Sequence, residues 1–283
     1  MSATTEVDVV GRVATLRRYP VKSMLGERCG SLDVTPLGVA GDRRYAFTDD
    51  ETGRVATAKN PRLWRRLLQC SAVTGDDGVV VTLPDGRSVP VGESAGPVSE
   101  LVGRRVHLAD ERSAGATVER SDPIEVLTHG LDAEIEAALL EIAQGTPGGA
   151  FVDHSPVHLI TTATLDAVGL DPAEAVRYRP NIVIETPDGF APFTENEWVG
   201  ATIRLGDVEM RGTMPTPRCS VPTLEHGSLP RSPQSVRHVL EHNRVDAPGF
   251  GVLPCAGLYA EVVTGGTIAE GAVVGLARHA GLH

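Results

Sequence analysis

The sequence predicts a mainly β protein with α/β elements in its second half, arranged as two domains. Three observations carry this expectation. The chain has 283 residues, enough for two cores of ordinary size. Its 31 glycines, 20 prolines and 4% aromatic content imply many turns between short strands. Short alternating apolar runs dominate up to about Ala109, whereas helical spacing recurs mainly beyond Asp122. The 41% hydrophobic and 22% charged content are those of a globular protein rather than a disordered or fibrous one.

In the first half, Val9–Leu16 alternates and ends at Tyr19-Pro20, and Val21–Gly26 reads as a loop. Strands are expected over Cys29–Thr35 and Arg44–Thr48. Asp49–Gly53 then turns the chain back through Arg54–Ala58. Asn60-Pro61 is an N-cap and first-turn pair that starts a short helix over Arg62–Leu68. Val79–Leu83, the turn Pro84-Asp85-Gly86, and Arg87–Val91 form a hairpin, with Pro90 confined to an edge or an end. Several short strands and one small helix suggest a barrel-like β domain of about a hundred residues. The polar stretch Asp110–Asp122 is the expected boundary, giving domains at 8–120 and 121–280.

Beyond it, Ile135, Leu139 and Ile142 predict an amphipathic helix over Asp132–Ala143. Val157–Thr161 reads as a strand feeding a helix over Thr162–Val168, and Asp171-Pro172 starts another. Asn181–Glu185 is a strand after Arg179-Pro180, since proline discourages helix in the residue before it. Strands follow at Trp198–Leu205 and Val208–Gly212, a helix at Ser235–His242, and strands at Leu258–Val263 and Ile268–Leu276.

The net charge of −11 argues against a general nucleic-acid binder, which needs a basic surface. A local basic pocket is still open to Lys22, Arg43, Arg44, Arg179 and Arg218. Met1–Val10 lacks a basic region followed by a long apolar one, and no uncharged apolar run reaches 18 residues. A cytoplasmic protein without a membrane segment is therefore expected. Cys29, Cys70, Cys219 and Cys255 are widely spaced, which suggests reduced thiols and no zinc or iron–sulfur motif. His238 and His242 lack the glutamate of a zincin helix. Glycine-rich nucleotide motifs and hydrolase elbows are absent.

The most suggestive stretch is Met210–Leu224. Pro215, Pro217 and Pro222 make it read as a stiff loop. Arg218 stands beside Cys219, and a cationic neighbour favours a thiolate, a better nucleophile or metal ligand than a thiol. Alternatively, Cys219 is a small buried hydrophobe under a proline-rich turn.

Tyr19-Pro-Val-Lys-Ser23, Gly41-Asp-Arg-Arg44, Arg177-Tyr-Arg-Pro-Asn-Ile-Val183, Phe193-Thr-Glu-Asn-Glu-Trp198 and Pro217-Arg-Cys219 follow one another in a recognisable order. In that order the chain resembles the MOSC family. The likeness is to its amidoxime-reducing branch, in which an N-terminal β-barrel domain precedes a strand-rich MOSC barrel with flanking helices. It extends from about Val9 to Leu276.

The resemblance implies a molybdenum cofactor, with Cys219 as metal ligand and catalytic residue. Lys22, Ser23, Arg43, Thr161, Arg179, Asn181 and Arg218 are then expected to bind the cofactor. It also implies an oxidoreductase acting on small N-hydroxylated compounds such as amidoximes or hydroxylamines. The alternative is a cofactor carrier or a sulfur-transfer protein bearing a persulfide on Cys219, without the pyridoxal phosphate site of a full sulfurase. With no flavin fingerprint, no iron–sulfur cluster and no ferredoxin-like domain before His283, electrons are expected from a separate donor protein of ferredoxin, flavin reductase or cytochrome type.

Overall fold

The computed structural model describes residues 7–277. Part of the N-terminal stretch Met1–Val10, and the last three residues of the expected second domain, lie outside the described residues.

Seven strands close into a barrel. In chain order they are β1 (Asp8–Arg18), β2 (Val157–Thr161), β3 (Ile182–Glu185), β4 (Thr202–Leu205), β5 (Val208–Pro217), β6 (Gly251–Thr264) and β7 (Val273–Ala277). Around the ring the order is β2, β3, β1, β7, β4, β5, β6, and pairing of β6 with β2 closes it. Closure removes the unpaired edges of an open sheet. The β2–β3 pair is parallel. Parallel neighbours need a crossover, which the helix Thr162–Ala167 and the helical turn Pro172–Arg177 supply.

Inside the barrel, Val13 and Leu16 of β1 meet Leu159, Ile182, Ile184, Ile203, Met210, Leu258 and Val274, with Trp198 fully buried among them. Thus β1, from the first half, seals a ring whose other six strands come from the second. Gly11 makes that seal possible, because a Cβ there would sit 2.1 Å from the Glu185 carbonyl oxygen of β3.

A second core lies outside the ring. Val21, Met24, Phe47, Trp64, Leu67, Val81, Val98 and Val106 pack together. Around them stand the pair Ala46–Asp49 with Val106–Ala109 and the three-stranded sheet Ser71–Gly75, Gly78–Thr82, Ser88–Pro90. The expected hairpin is present: the Asp85 carboxylate accepts from Arg87 N–H, and Gly86 takes φ +87°. Asn60-Pro61 does start a helix, Pro61–Trp64, but the Asn60 side chain makes no cap bond. Its amide donates to Glu119 instead, at 2.8 Å.

Two expectations are corrected. Residues 132–143 form no helix; Ala137–Glu141 is a strand paired with Thr117–Ser121. Ile142 packs with Val118 and Phe151, whereas Leu139 faces solvent, so strand pairing displaces the helical stripe. Most of the stretch read as a stiff loop also belongs to β5. Its prolines are tolerated because β4 pairs only with Val208–Arg211, while β6 continues alongside to Pro217 through three register shifts. Gly212 still bonds to Gly200 and Ala201; past it, among the described residues, one side of β5 has no strand pairing for a proline to break. Helices Ala95–Val102 and Pro123–His129 were not anticipated.

The barrel seal gives a stability prediction. Gly11→Ala is expected to lower unfolding free energy by about 1–3 kcal/mol through overpacking against backbone. Gly30→Ala, where a Cβ meets nothing within 4 Å, should change it little. Urea denaturation of both variants provides the comparison.

Candidate functional site

Where β1 leaves the barrel, Tyr19 is fully buried and its hydroxyl donates to the Pro180 carbonyl at 3.1 Å. Val21 and Met24 then enter the second core, while Lys22 and Ser23 between them line a cavity at the junction of the two cores. Ser23, Arg43 and Arg179 all line it with positive φ, at 62°, 45° and 56°. Left-handed backbone in a non-glycine residue costs on the order of 1–3 kcal/mol and persists only where surroundings enforce it.

The enforcing contacts are visible. The guanidinium carbons of Arg43 and Arg179 lie 4.7 and 4.4 Å from the Tyr19 ring centre, within cation–π range. Arg43 also pairs with Asp42 and donates to the Arg179 carbonyl at 3.0 Å and to Asn181 Oδ1 at 3.3 Å. Arg179 donates one nitrogen to the Met24 carbonyl. Its Nη2 is buried without a hydrogen-bond partner among the described residues. Burial, and then the charge of Arg43, lower the Arg179 pKa to about 10.

At the end of β5, Arg218 spends its donors on protein. Nε donates to the Ala256 carbonyl at 2.8 Å, Nη1 to the Tyr178 carbonyl at 3.2 Å, and Nη2 to His158 Nε2 at 2.6 Å. Since arginine only donates, His158 accepts through Nε2. Burial and then Arg218 hold its pKa well below the usual histidine range. Arg120 donates to the Arg218 carbonyl at 3.2 Å, tying the Thr117–Ser121 hairpin to the residue before the cysteine. Cys219 itself is half-buried, lines the cavity and packs with Ala58, Leu68, Val221 and Leu224.

The cavity thus gathers Lys22, Ser23, Arg43, Arg179, Asn181, Arg218 and Cys219. Thr161 is not among its lining residues. It caps the helix Thr162–Ala167, accepting from Thr164 N–H, and donates to Glu195 at 3.1 Å. Arg44 turns outward towards Asp110, 3.7 Å away. Sequence reading left out Lys59 and Asp153, which form an ion cluster with Lys22: Lys22–Asp153 is 2.7 Å and Lys59–Asp153 3.1 Å. It also left out His158, Tyr178 and Tyr259. Glu195, within the Phe193–Trp198 motif, is wholly buried, and burial raises its pKa. Among the described residues, no group of three or more histidines, cysteines and carboxylates is arranged to hold a metal.

Comparison with known proteins places these features. Residues 10–114 match the MOSC N-terminal beta barrel domain, and residues 146–275 match the MOSC domain. The chain belongs to the MOSC family.

Its MOSC relatives include mitochondrial amidoxime-reducing component 1 from Mus musculus, 23% identical over 291 residues, which span 93% of this chain and 81% of that protein. The Homo sapiens protein of the same name is 25% identical, with 93% and 82% covered. Among solved structures, the YuaD protein from Bacillus subtilis aligns with 97% of this chain and 100% of its own, at 8% identity and a TM-score of 0.43. No helix among the described residues is long and apolar enough to cross a membrane.

The lysine cluster of this MOSC cavity yields a pH prediction. Burial brings the Lys22 pKa down to about 8, opposed in part by Asp153. The folded protein then sheds this proton near pH 8, while the unfolded chain keeps it to about 10.4. Lys22 therefore makes stability rise with pH between about 8 and 10. Asp153, held well below the usual carboxylate range, contributes no slope in that window. Lys22→Met is expected to remove roughly 1–3 kcal/mol of the rise, read from denaturant midpoints of both proteins at pH 8 and 10.

Proposed function

We propose that this cavity holds an anionic molybdenum–pterin cofactor, with Cys219 as a thiolate ligand to the metal. In this reading the protein reduces N-hydroxylated compounds such as amidoximes or hydroxylamines. The observation that carries it is the convergence of Lys22, Arg43, Arg179 and Arg218 on one cavity with a half-buried cysteine in its wall. The chain as a whole carries a net charge of −11, so this local excess of cations calls for a specific anion.

The donor chemistry fits such a group. Arg179 Nη2 is a buried donor with no partner among the described residues, costly unless an acceptor reaches it. Ser23 Oγ accepts from Ala58 N–H and keeps its own proton to give. Lys22 has two acceptors for three protons. A half-buried thiol suits a soft metal centre. The names of the two mammalian relatives, amidoxime-reducing components, support the choice of reaction.

When bound, the cofactor supplies a two-electron redox centre that removes oxygen from nitrogen. The chain's own residues do the rest. Lys22, Ser23, Arg43 and Arg179 bind the anion. Asn181 orients Arg43 through Oδ1 and accepts His158 N–H at 3.1 Å through the same atom. Arg218 locks the backbone that presents Cys219. Thr161, engaged with Thr164 and Glu195, stands outside this set. A separate ferredoxin, flavin reductase or cytochrome-type protein would recharge the centre.

Protein made in cells that synthesise the cofactor should carry molybdenum and pterin, and Cys219→Ala should lose reductase activity by at least about a hundredfold. A Cys219→Ala protein with unchanged metal content and activity would overturn the ligand assignment. Bound cofactor in the wild type that never turns over benzamidoxime with an artificial reductant would favour a carrier or persulfide role.

A further inference from the structure

The cavity changes character along its depth. Lys22, Ser23, His158, Asn181 and Arg218 are buried, whereas Glu141, Gln144 and Phe250 are exposed and form its mouth. The sequence contains five phenylalanines, four tyrosines and two tryptophans. Among the described residues only one of these rings, Phe250, is exposed. A folded chain ordinarily gains by burying such a ring, so one left at the cavity mouth invites a functional reason.

Phe250 is held in place. It sits on the turn between Arg244–Ala247 and β6, where its N–H donates to the Ala247 carbonyl at 2.8 Å. Gly249 and Gly251 on either side take φ of 81° and 79°. Its ring meets His154 edge to face, with centroids 5.8 Å apart and planes at 75°. His154 in turn stacks on Tyr259 at 5.9 Å and 23°. The three rings make a continuous wall from the mouth inward. His154 is kept neutral at pH 7, its pKa lowered by burial and by Lys59, so the wall presents flat uncharged surfaces.

We propose that Phe250 is a specificity-determining residue, packing the flat aryl body of an aromatic N-hydroxylated substrate at the cavity mouth. This rests on the reductase reading above. A planar aryl group gains from an edge or offset contact with such a wall, whereas a small aliphatic N-hydroxy compound gains nothing from it. The contact lies at the mouth, so it contributes to binding and leaves the reacting atoms untouched.

Benzamidoxime and acetamidoxime share the reacting group and differ in the ring. With cofactor-loaded protein, calorimetry should give Phe250→Ala about a tenfold weaker Kd for benzamidoxime and an unchanged Kd for acetamidoxime. Phe250→Tyr should bind both as the wild type does. Steady-state assays should show the same split, with KM for benzamidoxime raised and kcat within about twofold. Equal losses for both compounds, or no loss for either, would overturn the proposal. A wild type that turns over neither amidoxime removes the reductase reading, and the calorimetric comparison then still decides whether Phe250 selects the ring.

Discussion

Much of the site depends on one buried joint, the Tyr19 ring with Arg43 and Arg179 against it. The joint ties together three segments distant in sequence. Tyr19 N–H donates to Asp42 at 2.8 Å, Arg43 N–H to the Tyr19 carbonyl at 2.7 Å, and the Tyr19 hydroxyl to Pro180. Two guanidinium groups are thereby held near each other with one carboxylate, Asp42, paired to Arg43. Buried charge is tolerated only with partners, and here backbone carbonyls and the face of a tyrosine provide most of them. Among the described residues, Arg179 Nη2 has no acceptor. An anion in the cavity would supply one and offset the mutual repulsion of the two guanidinium groups.

Barrel closure sets the position of this joint. Because β1 is clamped between β3 and β7, its exit at Tyr19 is fixed relative to the turn before β3, which carries Arg179 and Asn181. The parallel neighbour β2 ends at the opposite side of its crossover, and Thr161 is drawn to that end as a helix cap. This explains why Asn181 reaches the cavity and Thr161 does not. Asn181 opens β3 and sends its side chain back to Arg43 and His158 N–H, while Thr161 closes β2 and sends its own to Thr164 and Glu195.

Local chemistry made much of this legible in the sequence. Asn60-Pro61 and Asp171-Pro172 announced helical turns because proline fits the first turn of a helix. Asp122-Pro123 carried the same signal and starts Pro123–His129, with the Asp122 carboxylate accepting from Ile124 and Glu125 N–H. The polar residues before it, Asp110–Asp122, read as a linker and mask that signal. Residues 132–143 failed for a different reason: Ile135, Leu139 and Ile142 match a helical stripe, but the partner strand Thr117–Ser121 is a tertiary fact that periodicity does not encode. In the site, ordered motifs pointed to Lys22, Arg43, Arg179 and Cys219. Lys59 and Asp153 had no local signal, since their importance comes only from meeting Lys22 across the fold.

The role of the prolines near Cys219 also changes with the structure. As a loop, Pro215 and Pro217 would act by stiffness alone. Within β5 they stand beyond the reach of β4 and opposite Leu258 and Cys255 of β6, so the barrel wall carries the chain directly to Arg218. That residue is fastened on several sides, by its own donors to Ala256, Tyr178 and His158, by its N–H to the Pro254 carbonyl at 2.8 Å, and by Arg120 on its carbonyl. The peptide leading into Cys219 therefore has little freedom left before any ligand arrives. Arg218 acts chiefly through this fixation, with its guanidinium consumed by protein acceptors. The placement of the sulfur follows from backbone geometry, which is the preorganisation that the proposed role as a metal ligand requires.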